Sequence, residues 1–162
     1  MLVFGDLTNF LHPFAAFILS FIVVATLWRI YNELFGFIIK IDSTIIIANL
    51  LLLFFIVTVP FSASLVSSYF GQTVSTFVYS LNALMLALCL NFIVVYLDHH
   101  PQYLPEDLDK EHLRRFRVSC NVGVINGIIA ILVSFFFPLL SFIILLARPL
   151  TTYFVKMFYK LK

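Results

Sequence analysis

Polar and apolar positions do not alternate evenly along this chain. Long apolar blocks are separated by short polar breaks, and the blocks are the length of a bilayer crossing, about 20 residues. The first runs from Pro13 to Tyr31 and opens on a proline, which suits a helix start. It closes on Trp28 and Tyr31, which suit an interfacial belt. The second runs from Ser43 to about Val66, with Asp42 and Ser43 as capping residues and Pro60 expected to kink it or end it early. The third covers Thr73 to Leu97, with Tyr96 at its polar boundary. The fourth covers Val118 to Phe137, and after Pro138 a fifth apolar run continues to about Tyr159. The blocks lack a period of two and are twice as long as a barrel strand needs. The pattern therefore predicts an all-α, polytopic membrane bundle. It has one domain over residues 1–162, with spans at about 13–31, 43–66, 73–97, 118–137 and 138–159.

The one substantial polar segment, Asp98 to Arg117, is organised. After Pro105 come Glu106, Asp107 and Asp109, then Lys110, Arg114 and Arg115, so acids precede bases as a helix dipole favours. This order predicts a short cytoplasmic amphipathic helix from Glu106 to about Arg117. Its charges read as a solvated face whose basic end can touch anionic lipid.

Composition agrees. Of 162 residues, 62% are hydrophobic and 11% charged, too few charges to cover a soluble surface of this size. Charge placement matters more than the net +2. Arg29 and Lys40 lie between the first two spans, Lys110, Arg114, Arg115 and Arg117 between the third and fourth, and Lys156, Lys160 and Lys162 near the C-terminus. The connections 67–72 and 137–138 carry no basic residue. All these bases thus fall on one side, which the positive-inside rule makes cytoplasmic. The C-terminus is then inside and Met1 outside. The segment before the first span has neither basic residues nor a signal-peptide pattern, and reads as though a preceding helix were missing.

Small and polar residues recur at helical spacing within two spans: Thr76, Ser80, Ala83, Ala87 and Asn91 in the third, and Ser119, Gly123, Gly127, Ala130 and Ser134 in the fourth. Gly123 and Gly127 form a GxxxG pair. Such stripes let helix backbones approach and polar groups bond across helices. Packing within the bundle is the plainer reading, and a subunit contact or aqueous path the sharper one. Asn49, Asn82 and Asn126 fall at membrane depth and are expected to hydrogen-bond to neighbouring helices. Arg148 is the exception to the apolar span interiors, about halfway along the fifth run and just before Pro149. It either snorkels to the interface, which a shallow span favours, or faces the bundle.

Candidate chemistry is otherwise sparse. Cys89 and Cys120 sit in apolar surroundings and read as buried thiols. His99, His100 and His112 match no tight zinc spacing, so no metal ligands, catalytic residues or cofactor are assigned. No span interior holds a carboxylate, which weakens a proton-coupled transporter. The four bases between the third and fourth spans are mixed with acids, so nucleic acid is not an expected partner.

Several short stretches, taken in order, resemble the transmembrane protein 175 family. Leu19–Ser20–Phe21, Leu27–Trp28 and Leu34–Phe35 resemble its second helix. Ala48–Asn49–Leu50–Leu51 through Val59–Pro60–Phe61 resemble its third, and Val78–Tyr79–Ser80–Leu81–Asn82 the start of its fourth. The hairpin at Ser134 to Pro138 is similar to its last two helices. The resemblance implies a potassium channel working by passive ion flow, assembled as a homo-oligomer, by analogy a tetramer, in the cell membrane. Its partners would be potassium ions and the lipid bilayer. It also implies that Trp28 and Asn49 belong to an inter-helix network. The family's pore is lined by a first helix bearing an Arg-x-x-x-Phe-Ser-Asp motif, and that motif is not present here. No pore-lining residue is therefore assigned. The chain is expected to be N-terminally truncated, with a pore-less accessory protein as the alternative. Where the family has a histidine shortly after the tryptophan, this sequence has Tyr31 and Asn32.

Overall fold

The computed structural model describes residues 21, 24, 25, 27–69, 71–106, 108 and 110–160. Most of the first predicted span, including residues 13–20, lies outside them. The described residues form helices and connecting turns, with no strand among them.

Helix α1 covers residues 27–35. A short loop leads to α2, Ser43–Ser68. Asp42 caps it, with Oδ1 accepting the Ile45 amide at 2.9 Å. Pro60 does not end α2, which continues eight residues further. Proline removes one ladder bond, but a helix held on a neighbour tolerates that loss. Tyr69 closes the helix by donating its amide to Leu65 O. Gly71, at φ 79°, then turns the chain in the left-handed region that a side chain would strain.

Helix α3, Thr73–His99, returns antiparallel along α2. A 3-10 turn at Pro101–Tyr103 follows, and the Ile39 amide donates to Tyr103 O, tying this turn to the α1–α2 loop. Helix α4 runs without interruption from Lys110 to Ser134. The separate amphipathic helix expected over Glu106 to Arg117 is thus not formed: from Lys110 onward those residues are the first turns of α4. Nothing between Arg117 and Val118 breaks the ladder, so one helix carries both the charged and the apolar part.

At Phe135–Phe137 the chain reverses, and Pro138 starts α5, Pro138–Leu146. Helix α6, Arg148–Lys160, follows after Ala147. The fifth predicted span is therefore two helices. Pro149 has no amide hydrogen to donate to Leu145, which makes this the weak point of the run. Both pieces pack on α4, and α5 also touches α3.

A core of Leu27, Leu34, Ile45, Ala48, Leu52, Val59, Leu86, Leu90, Ile93, Val94, Leu97, Phe116 and Cys120 joins α1 to α4. Much of the remaining surface is apolar: Val57 is 75% exposed and Phe61 64%. Apolar surface this extensive is unfavourable against water and matches lipid. Among the described residues, three helices are long and apolar enough to cross a bilayer: Ser43–Ser68, Thr73–His99 and Leu113–Ser134. At 1.5 Å per residue, α2 and α3 are each about 40 Å long, more than the roughly 30 Å hydrocarbon core.

Candidate functional site

The polar residues that the pattern placed at membrane depth form separate cross-helix contacts rather than one network. On the α2–α3 contact, the Asn82 amide lies between the Thr58 and Ser62 hydroxyls, at 3.0 and 3.2 Å. Where α3, α4 and α5 meet, Ser141 donates to Ala130 O at 2.7 Å and lies 3.1 Å from Ser80 Oγ, with both serines fully buried. Between α4 and α6, Asn126 donates to Thr151 Oγ1 at 2.8 Å. Asn82 and Asn126 thus bond to neighbouring helices. Asn49 departs from that expectation, since its Oδ1 is buried without a hydrogen-bond partner among the described residues. Ala48 and Leu52, on either side of it along α2, enter the hydrophobic core.

Trp28 is 65% exposed on α1. The structure gives it no hydrogen bond to Asn49, so these two residues are not directly joined among the described contacts.

Gly123 and Gly127 have different surroundings. A methyl group built on Gly127 would stand 3.0 Å from Leu84 Cα and 3.0 Å from its Cδ1, so this glycine is where α3 meets α4. One built on Gly123 would stand 2.6 Å from Nη2 and 3.0 Å from Cζ of Arg148. The guanidinium therefore lies in the notch that Gly123 leaves. Gly123 is six residues, about 9 Å, beyond Arg117 and eleven residues before Ser134, so this charge lies on the half of the α4 span nearer its basic end. The charge thus packs against α4, on the turns between Gly123 and the basic segment that ends at Arg117. It has no hydrogen-bond acceptor among the described residues, and its electrostatic neighbour is the Cys120 thiol.

The start of α2, the end of α3 and the Pro101–Tyr103 turn meet in a second polar cluster. Tyr96 donates to Asp42 Oδ2, and Tyr103 approaches the same oxygen at 3.4 Å. His100 stacks on Tyr96 at a centroid distance of 4.2 Å and on Tyr103 at 5.8 Å, with its Nδ1 2.9 Å from Tyr96 O. The His99 Nδ1 lies 2.8 Å from Val95 O. These rings pack against aromatic and main-chain groups, and no metal-ligating cluster forms among the described residues.

The Tyr96 hydroxyl first, and the Ile45 amide second, hold the Asp42 carboxyl below the usual carboxylate range. A depressed pKa stabilises the fold above the ordinary carboxylate range, and that contribution is lost as pH falls through the depressed value. Asp42→Ala is therefore expected to lower Tm in detergent at neutral pH. The gap to wild type should close on acidification, as read from paired melting curves between pH 7 and pH 2. A gap independent of pH would contradict this account.

Sequence reasoning missed Ser141, Thr151 and Asn121. A lone serine or threonine gives no signal until its partner helix is known. Asn121 sat in an apolar run without any pattern linking it to Asn91.

A family model described as the endosomal/lysosomal potassium channel TMEM175 matches residues 3–60, which include Trp28, Asn49 and Pro60. A Gallus gallus protein named as the endosomal/lysosomal proton channel TMEM175 is 29% identical over 136 residues, covering 81% of this chain and 27% of that protein. A Streptomyces collinus protein named as a potassium channel is 24% identical over 114 residues, covering 68% of this chain and 55% of its own length. The chain thus aligns with about a quarter of the first relative and about half of the second.

Proposed function

We propose, from the premise that this chain is a member of the TMEM175 family, that it is part of a potassium channel working by passive flow. It would act as a homo-oligomer, a tetramer by resemblance, with the ion path between copies. The proposed topology has five crossings, the α5–α6 run forming the last. The charged ends of α3 and α4 and the C-terminus would face the cytoplasm.

The similarity to named channels carries the channel reading. The Gly123 notch supports placing the path between copies. The Arg148 guanidinium lies against Gly123 of α4 and faces inward. A cation passing 4 Å from it would meet a repulsion of about 4 kcal/mol at an effective dielectric of 20. With no carboxylate in the apolar interior to offset it, the space between α4 and α6 is a poor route for potassium. A path between subunits avoids it.

A second reading, a pore-less accessory protein, is favoured by one observation: no Arg-x-x-x-Phe-Ser-Asp motif occurs in these 162 residues. In the channel reading, a helix bearing that motif supplies the pore lining. Proteoliposomes holding this chain are compared with ones holding a version extended by its upstream coding sequence. Potassium efflux and internal pH are followed together, because the two relatives are named for different ions. The expected result is potassium flux from the extended version alone. Flux from neither would favour the accessory protein. Flux from the short chain would overturn the assignment of conduction to a helix outside it, and proton flux without potassium flux would overturn the ion.

A further inference from the structure

Where α4 meets α3, the polar groups have partners. Arg117 donates to Asp98 near the end of α3, and Asn91 Nδ2 donates to Asn121 Oδ1 at 2.6 Å. The Arg148 guanidinium differs, because it lies in the Gly123 notch without a hydrogen-bond acceptor among the described residues. Its depth follows from the helix lengths. Helix α3 is about 10 Å longer than the hydrocarbon core, so, shared evenly, each end stands about 5 Å outside it. Arg117, bonded to Asp98, is then at headgroup level, and a guanidinium about 9 Å deeper lies about 4 Å inside the boundary. That is close enough for a headgroup phosphate to be drawn inward to an arginine.

The surroundings carry a surplus of positive charge. From Arg148 to the end of the chain there are Lys156, Lys160 and Lys162 besides the arginine, and no Asp or Glu. At the start of α4, by contrast, Glu111 pairs with Arg115, as Asp98 does with Arg117. Beside this charge α6 exposes the rings of Tyr153, Phe154 and Phe158. An occupant therefore has to bring negative charge to this depth and also cover apolar rings. A free phosphate would have to leave water to reach the guanidinium, and it would leave the rings bare. A phospholipid carries its phosphate a few ångströms away already, with acyl chains below it. The forked donors of an arginine match phosphate oxygens, and the lysines select a headgroup whose net charge is negative.

We infer that Arg148, in the notch between α4 and α6, binds the phosphate of an anionic phospholipid. The acyl chains lie on the exposed rings of α6. The inference uses the membrane placement alone, so it holds whether the chain conducts or is an accessory protein. It also gives the guanidinium, costly within a bilayer, the acceptor that the described residues do not supply.

The test uses the delipidated full chain in micelles, given equal amounts of phosphatidylglycerol and phosphatidylcholine with the same acyl chains. Native mass spectrometry is expected to show phosphatidylglycerol retained about tenfold over phosphatidylcholine. Arg148→Met should lose most of that preference, whereas Lys40→Gln, which removes one base from the α1–α2 loop, should keep it. Equal retention of the two lipids by the wild type would overturn the inference. So would a preference that survives in Arg148→Met, or one that falls as far in Lys40→Gln, since either would reduce it to general attraction. Melting curves on the same samples show that the methionine variant is folded. Phosphatidylglycerol is expected to raise the wild-type Tm and to leave that of Arg148→Met nearly unchanged. An equal rise in the wild type from inorganic phosphate at the same concentration would overturn the lipid as occupant.

Discussion

Gly127→Leu is expected to force α3 and α4 apart. Even the first carbon of a side chain there would lie 3.0 Å from the Leu84 Cα, a main-chain atom that cannot rotate away. Overpacking of a closed core typically costs about 1–3 kcal/mol, and a clash with backbone belongs at the upper end. Alanine at the same position is milder, since one methyl group needs a shift of a few tenths of an ångström. The measurement is reversible unfolding in mixed micelles, ordered wild type, Gly127→Ala, Gly127→Leu from most to least stable. A leucine variant as stable as wild type would mean that the helices are not in contact at this point.

Arg148→Met is expected to stabilise the protein. A guanidinium costs about 2.5–3.5 kcal/mol at the centre of a membrane helix on insertion scales and less toward its ends, and here it faces Gly123 with no hydrogen-bond acceptor among the described residues. Methionine fills much of the same volume without the charge. A gain of about 1–3 kcal/mol in unfolding free energy is expected, since water or a neighbouring subunit offsets part of the cost in the wild type. Potassium flux through a conducting assembly should be little changed if the ion path runs between copies. A destabilised Arg148→Met variant would reveal an acceptor that this arrangement does not contain. Gly123→Ala gives an independent reading. Its methyl group would stand 2.6 Å from the guanidinium nitrogen, the mobile end of a flexible side chain. It should displace the charge at little steric cost and lose most of its effect in the Arg148→Met background.

These two glycines show how far a sequence pattern reaches. The GxxxG spacing placed both on one face of α4 and suggested close approach by a neighbour, but could not say by what. Gly127 meets backbone, whereas Gly123 meets the terminal group of a residue twenty-five positions later. The distinction depends on the angle at which α6 leaves Ala147, which no local signal encodes. Arg148 illustrates the same limit. Its position in an apolar run was plain, yet whether the side chain reached water or the bundle depended on where α4 stood.

Helix boundaries were legible where a local device sets them. Asp42 caps α2, and Pro138 starts α5, because capping and proline geometry act within one turn. They were misread where a proline's effect depends on its neighbours. Pro60 lies in a helix supported by α3 and does not end it, whereas the run containing Pro149 divides into α5 and α6. Similarly, the charged segment before Val118 looked like a separate surface helix because its composition changes there. Composition does not break a hydrogen-bond ladder, so α4 continues through the change.

By itself the sequence determined that the chain is helical and belongs in a membrane, because block length, hydropathy and charge placement are properties of residues near one another. It also carried the ordered resemblance to a channel family. Only the tertiary structure decided which polar groups are paired: Asn82 and Asn126 with neighbouring helices, Asn49 with its Oδ1 buried and unpartnered, Asn121 exposed on a seam, and Arg148 against Gly123. Each of these depends on the distance and rotation between helices far apart in sequence, and a bilayer offers many nearly equivalent apolar packings until such contacts select one.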